Sequence, residues 1–167
     1  MIGFKKTATV ALLASGLALG NTAQAGLLYN IMDLGALSPA PIFNGSGGYN
    51  TGTSYGQSIN ASGQVTGNSF TRVDDSYHAF ITNNSVMSDL GSLGFYRGGS
   101  YGNGINASGQ VTGGSYINSS YNPMPHAFIT NHGVMTDLGT LGGEVSWGMG
   151  INDSGQVTGT TATGSGK

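Results

Sequence analysis

The chain has 167 residues, only 7% of which are charged, and a formal net charge of −2. It has no cysteine, which excludes disulfides, thiol nucleophiles and thiolate metal sites. The few cations form no basic stripe, so we do not expect nucleic acid or anionic lipid as a partner. The 31 glycines recur at fixed positions beside Ile, Val, Phe and Tyr, which is typical of turns in β structure rather than of a disordered linker.

Residues 1–25 have the pattern of a signal peptide. Lys5 and Lys6 precede an apolar run over residues 7–20, and an Ala-x-Ala site follows at Ala23 and Ala25. A membrane anchor is the alternative, but the run is shorter than the roughly 20 residues that span a bilayer. We therefore expect cleavage after Ala25 and a mature domain of residues 26–167, secreted, periplasmic or at the cell surface.

A hairpin-like motif occurs three times at a spacing of 46 residues, which indicates a tandem repeat. It has the pattern aromatic-Gly-x-x-Ile-Asn-x-Ser-Gly-Gln-Val-Thr-Gly. A second block begins His-Ala-Phe-Ile-Thr and ends Asp-Leu-Gly. It occurs twice, 48 residues apart, with the extra length in loops. The predicted units are a partial one at 28–54, repeats at 55–100 and 101–146, and a partial one at 147–167.

Each repeat is predicted to form four short antiparallel strands, because strand-like segments are separated by turn signals that contain Asn and Gly. In the first repeat, strand one ends at Ile59, and strand three places His78 and Phe80 on one face. No helical apolar period occurs in the mature chain. The predicted segments are a turn at 60–63, a return strand from 64, a polar loop at 68–76, strands at 77–82 and 86–90, and a turn at 83–85.

The fold class is therefore predicted to be all-β, with four-stranded repeats the size of β-propeller blades. Propellers typically have about four to eight blades, and this chain offers three at most. One solution is a composite sheet in which Met32, Asp33 and Leu34 join the C-terminal hairpin. A truncated product, a partial toroid and assembly with further copies are the alternatives.

The two blocks together resemble the HAF repeat of bacterial exported proteins. The resemblance covers residues 28 to about 160 and includes both His-Ala-Phe triplets, at His78 and His126, and a Met-x-Asp-Leu-Gly-x-Leu-Gly-Gly segment from Met135. The sequence departs from the family pattern after the triplet, where Ile-Thr stands, and at residues 95–97. The resemblance implies an extracellular or surface β-repeat protein without a catalytic residue.

The histidines and aspartates are the candidate chemical groups. His78 and His126 are predicted to be structural, since they occupy equivalent repeat positions and the sequence supplies no unique partner to orient either as a general base. His132 is expected in a turn. Asp33, Asp89 and Asp137 each precede Leu-Gly, where a carboxylate bonds backbone amides; a Ca²⁺ ring is the alternative. No nucleophile elbow, phosphate loop or cofactor motif occurs, so no catalytic, metal or cofactor residue is assigned.

Two groups of side chains have more than one interpretation. Asn60, Asn106 and Asn152 begin Asn-x-Ser sequons, but the predicted turn explains them without glycosylation. The aromatic residues near loops either form a binding surface or only complete a charge-poor surface; they are Tyr49, Tyr55, Tyr77, Tyr96, Tyr101, Tyr116, Tyr121 and Trp147.

These observations predict an exported, non-enzymatic repeat protein with a binding, adhesion or structural role. The expected partners are further copies of the chain or an extracellular protein or carbohydrate. The alternative is a truncated or accessory part of an exported hydrolase.

Export of the full chain from a bacterial host tests the predicted leader. We expect the exported product to begin at Gly26 by intact-mass measurement. Replacing Ala25 with Leu should block processing, because the peptidase site requires small residues. An exported product that keeps residues 1–25 would contradict the prediction.

Overall fold

The computed structural model describes residues 8–9, 30–38, 42–43, 49–50, 52–94, 98–117 and 124–164. The chain divides into two compact units, Met1–Leu34 and Gly35–Lys167. In the first unit, β1 (Ala8–Thr9) pairs antiparallel with β2 (Asn30–Ile31). The predicted cleavage site after Ala25 lies outside the described residues. No helix among the described residues is long and apolar enough to traverse a membrane.

The second unit is all-β in its described part, as predicted. β3 (Ile42–Phe43) pairs with β4 (Tyr49–Asn50). The first sheet contains β5 (Ser54–Ile59), β6 (Val65–Thr71), β7 (Ser76–Asn83) and β8 (Val86–Asp89). The second sheet contains β9 (Ser100–Ile105), β10 (Val111–Tyr116), β11 (Pro125–Asn131) and β12 (Val134–Gly139). The third sheet contains β13 (Gly142–Ile151) and β14 (Val157–Thr163).

Strands follow one another in chain order in every sheet, and all neighbours are antiparallel. The turns form where they were predicted. Gly63 has φ 76° and its N–H donates to the carbonyl of Asn60 at 3.0 Å. Asn84 and Ser85 both have positive φ, the backbone geometry of a tight hairpin. His132 lies in the equivalent turn of the second sheet, with φ 50°.

One prediction about strands was wrong, and one of the alternatives that the sequence left open is not seen. The polar loop predicted at 68–76 is shorter, because β6 continues to Thr71 and pairs with β7 from Thr66 to Thr71. Met32, Asp33 and Leu34 form no strand, and the third sheet has two strands in the described part of the chain. The proposed composite sheet is therefore not seen. The described strands also do not close into a barrel or a propeller.

The sheets stack on one another, and at each interface the first strand of the later sheet packs against three strands of the earlier sheet. β9 packs against β5, β6 and β7, and β13 packs against β9, β10 and β11. The core between the first and second sheets contains Ala79 and Leu90 from one side and Ile105, Val111 and Phe128 from the other. Phe128 and Val111 are fully buried. The Phe-bearing face of the second sheet therefore covers the Ala-bearing face of the first.

Gly114 makes room for Trp147 between the second and third sheets. A Cβ at Gly114 would lie 2.2 Å from Cε3 of the indole. One repeat earlier the corresponding positions hold Asn68 and Tyr101, a larger residue opposite a smaller ring. The size of the side chain at one position therefore limits the size that fits at the other.

A double-mutant cycle tests this size limit. Gly114→Asn should destabilise the protein by about 1–3 kcal/mol through overpacking. Combining it with Trp147→Tyr should cost less than the sum of the single changes, by about 0.5–3 kcal/mol, because the pair then matches Asn68 and Tyr101. Urea unfolding gives each free energy. Strict additivity would contradict the size limit.

Candidate functional site

His78 is buried against two carboxylates. Its Nδ1 lies 2.9 and 3.0 Å from the two carboxylate oxygens of Asp89, and its Nε2 lies 3.1 Å from Oδ2 of Asp74. The side chain is 7% exposed. Asp89 belongs to β8, and Asp74 lies in the loop between β6 and β7. The imidazole therefore ties three successive segments of the first sheet together.

His126 repeats half of this arrangement in the second sheet. Its Nδ1 lies 3.0 and 2.8 Å from the carboxylate oxygens of Asp137. The side chain is 18% exposed, more than that of His78. The loop that corresponds to Asp74 falls in residues 118–123, outside the described residues. The repeated element is thus a His–Asp pair that joins the third strand to the fourth.

Each of these aspartates also accepts a backbone hydrogen bond at the end of its strand. The N–H of Gly91 donates to Asp89 at 2.7 Å, and that of Gly139 donates to Asp137 at 2.7 Å. This is the amide contact predicted from the Asp-Leu-Gly sequence. Among the described residues, no group of three His, Asp or Glu side chains is placed to hold a metal ion.

In the first sheet, His78 and Asp89 each favour the charged form of the other. Burial opposes protonation of His78, but hydrogen bonds and the charges of Asp89 and Asp74 outweigh it, so its pKa is raised above 6.5. Burial likewise opposes ionisation of Asp89, but the bonds from His78 and the Gly91 amide outweigh it, so its pKa is lowered below 3.8. Both nitrogens face carboxylates, and no hydroxyl nucleophile bonds His78 among the described residues.

A polar ladder joins the turns of the three sheets. Oδ1 of Asn60 accepts from the N–H groups of Ser62 and Gln64 within its own turn. Its Nδ2 donates to the carbonyl of Asn106 at 2.9 Å. Asn106 repeats both roles, and its Nδ2 reaches the carbonyl of Asn152 at 3.0 Å. The sequon asparagines therefore shape their turns and connect one turn to the next.

A set of hydroxyl contacts was missed in the sequence. Oγ of Ser100, in β9, accepts from the N–H of Ala79 at 2.8 Å and donates to the carbonyl of Gly91. Ser146 makes the same two contacts with Ala127 and Gly139. Ser54, Ser100 and Ser146 recur at the 46-residue spacing, one position before each repeated motif. Their recurrence at the repeat spacing was the feature of the sequence that could have identified them as structural.

The described aromatic residues form two groups, one between the second and third sheets and one within the first sheet. Tyr101, Tyr116 and Trp147 form a cluster with ring centroids 6.1–6.3 Å apart. Burial, and then the neighbouring Tyr116 and Tyr77, raise the pKa of Tyr101. Tyr77 packs on Tyr55 and Phe70 in the first sheet. These rings fill space between strands. The side chains of Tyr49, Tyr96 and Tyr121 lie outside the described residues.

An open cleft of about 600 Å³ separates the turn ends of the first and second sheets. Amide, hydroxyl and carboxylate groups line it together with Ile81 and Leu90; the polar side chains include Gln64, Asn83, Asp89, Ser108, Gln110 and His132. Several can donate and accept at once, which suits hydroxyl-rich or peptide ligands.

Comparison of the chain with protein-family models, with curated proteins and with solved structures found no match.

The pH dependence of unfolding tests the His78 contacts. His78, with a raised pKa, stabilises the fold fully below pH 6.5, and this contribution disappears as pH rises through the raised value. Asp89, with a lowered pKa, stabilises fully above pH 3.8 and loses its contribution as pH falls through the lowered value. Maximum stability is therefore expected between these limits.

The variant His78→Gln should cost about 1–3 kcal/mol inside that window, because two carboxylates lose a partner. It should also flatten the decline at higher pH. His132→Asn is the matched control: it removes an imidazole and restores the Asn found at the equivalent turn position, Asn84. An unchanged pH profile for His78→Gln would contradict this role.

Proposed function

We propose that the protein is an exported, non-enzymatic member of the HAF-repeat family that acts as a binding or structural scaffold outside the cytoplasm. The N-terminal pattern at residues 1–25 supports export, and the order of the repeated motifs supports the family. The sheets would then be propeller-like blades in an open array.

One observation carries the non-enzymatic part of the proposal. The polar side chains that recur with the repeat bond to neighbouring strands or sheets: His78 to Asp89, Ser100 to Ala79, and Asn60 to the Asn106 carbonyl. A catalytic group needs a free lone pair or proton aimed at a substrate. Groups that make the same contacts between strands in successive repeats are better explained as the connections of a scaffold.

The cleft between the first and second sheets is the best candidate for ligand binding. It is the larger of the two described clefts, and its polar groups converge from both sheets. We infer that its ligand is an extracellular carbohydrate or an extended peptide, because amides and carboxylates bond hydroxyl and peptide groups. The ladder amides of Gln64 and Gln110 would hold its walls in place.

Binding of the purified protein to a glycan array and to extracellular matrix proteins tests this function. Ser108 is exposed and lines the cleft, so Ser108→Arg should weaken binding at least tenfold by filling it. Ser154 occupies the equivalent turn of the third sheet, and Ser154→Arg is the matched control. Equal binding by both variants would place the ligand elsewhere.

Hydrolase assays on the same samples test the alternative role. We expect no turnover of polysaccharide, ester or peptide substrates. A folded His78→Gln variant that lost a measured turnover would contradict a scaffold role, because the substitution would then have removed a catalytic group.

A further inference from the structure

A relay of three side-chain amides in the first sheet has its direction fixed by the backbone. Oδ1 of Asn60 accepts from the N–H groups of Ser62 and Gln64, at 3.1 and 3.0 Å, so the Nδ2 of Asn60 is the side that donates. It donates to Oε1 of Gln64 at 2.8 Å, and Nε2 of Gln64 donates to Oδ1 of Asn83. Each amide therefore orients the next, and Asn83, the last of the three, has its Nδ2 group left to donate.

The second sheet repeats this relay as far as its second amide. Oδ1 of Asn106 accepts from the N–H groups of Ser108 and Gln110, at 3.1 and 2.9 Å, and its Nδ2 donates to Oε1 of Gln110 at 2.8 Å. Nε2 of Gln110 has no acceptor in the described part of the chain. Asn83 and Gln110 line the cleft between the first and second sheets from opposite walls. The oriented amides of both walls therefore present N–H donors.

The charges around the cleft disfavour a charged ligand. None of the described residues that line it is a Lys or Arg, and the chain has a net charge of −2. The one acid among these residues, Asp89, has its carboxylate oxygens 2.9 and 3.0 Å from Nδ1 of His78. An anion would lose hydration without gaining a fixed cation, and N–H donors do not suit a cation. A neutral group with a strong acceptor, such as an amide carbonyl, fits the cleft best.

Apolar side chains lie among these donors in a cleft of fixed width. Ile81 and Leu90 line the cleft, and a Cβ at Gly109, in the turn of the second sheet, would lie 3.6 Å from Cδ1 of Ile81. The same Cβ would lie 3.1 Å from Oε1 of Gln64. Because side chains of the first sheet contact this turn, the walls are already in place when a ligand arrives. The volume of about 600 Å³ lies within the roughly 300–1,000 Å³ of small-molecule sites.

We propose that the cleft binds a glycan whose sugars carry N-acetyl groups. The acetamido carbonyls accept from Nδ2 of Asn83 and Nε2 of Gln110, and the acetamido methyl groups pack on Ile81 and Leu90. The ring hydroxyls bond to serine hydroxyls such as that of Ser88, which can donate and accept. This inference rests on the proposed binding function and names the ligand class of that cleft.

An extended peptide, the other class of ligand proposed for this cleft, fits the donors less well. A peptide has one N–H for almost every carbonyl, whereas the amide oxygens of the relays already accept hydrogen bonds within the protein. An N-acetylated sugar has a single N–H among many oxygens, and each of its hydroxyls can accept from an amide N–H. The excess of donors in the cleft therefore matches the excess of acceptors on the sugar.

Titration calorimetry of the purified full chain with short β-linked oligomers of N-acetylglucosamine, glucosamine and glucose tests the proposal. The acetylated oligomer should bind about tenfold or more tightly than the glucose oligomer, which lacks the carbonyl and the methyl group. The cationic glucosamine oligomer should bind no better than the glucose oligomer. Equal binding of the acetylated and glucose oligomers would overturn the N-acetyl assignment but leave a carbohydrate-binding cleft. An extended neutral peptide that bound more tightly than the acetylated oligomer would overturn it too, and no binding of any of these ligands would overturn the proposed binding function itself.

The variant Gln110→Glu tests the donors, because it replaces Nε2 by an oxygen and keeps the shape of the side chain. It should weaken binding of the N-acetylglucosamine oligomer about tenfold and strengthen binding of the glucosamine oligomer, a reversal that a purely structural role would not produce. Asn83→Asp should do the same from the opposite wall.

The third sheet supplies the matched control. Gln156 accepts from Asn152 in the equivalent turn and does not line the cleft, so Gln156→Glu adds the same charge and should leave both affinities unchanged. Urea unfolding verifies that each variant is folded. Unchanged binding by folded Gln110→Glu and Asn83→Asp, or an equal loss in Gln156→Glu, would refute the assigned donors.

Discussion

A buried serine hydroxyl between successive sheets is the interaction on which the stack depends. Ser100 is 0% exposed, and its Oγ satisfies the N–H of Ala79 in the preceding sheet and the carbonyl of Gly91, just after that sheet's last strand. A buried backbone group without a partner costs about 1–3 kcal/mol. A hydroxyl can donate and accept at once, so one small side chain provides hydrogen-bond partners for both a buried N–H and a buried carbonyl. Ser146 does the same at the next interface.

This constraint matters because the chain has few other ways to hold sheets together. It has no disulfide, and the described core contains few large apolar side chains. Ser115 adds a contact of the same kind, since its hydroxyl accepts from the N–H of Leu93 at 2.8 Å. At the turns, the side-chain amides of Asn60 and Asn106 donate to a carbonyl of the next sheet. Directional polar contacts therefore set how the sheets stack, and the modest core between them adds hydrophobic stabilisation.

The same repeat explains why equivalent residues differ in exposure. Val111 is fully buried because Ala79 and Leu90 of the preceding sheet cover it and β11 pairs beside it. Val157 has the same local sequence and the same turn before it, yet it is only partly buried. Ile59 and Ile105 show a similar contrast, at 66% and 8% exposed. In a stacked array burial depends on the neighbouring sheet more than on the residue.

The sequence by itself determined the local structure, because turns and alternation act over a few residues. The Asn60 to Gly63 turn, the positive φ at Asn84 and His132, and the opposed faces of β7 follow from nearest-neighbour chemistry. The extent of β6 was missed, since its polar residues Asn68, Ser69 and Thr71 are buried in the sheet, where they pair with β7, and not by their own character.

Only the tertiary structure decided which side chains meet. His78 finds Asp89 because β7 and β8 lie side by side, and it finds Asp74 because the loop before β7 folds back. Nothing in the local sequence distinguishes Ser100 from other serines, and only the stacking of the sheets places it against Ala79. Thr158 is exposed, whereas Thr112 at the same repeat position is fully buried. A motif that reads identically three times has different surroundings in each copy, because the neighbouring strands and sheets determine burial.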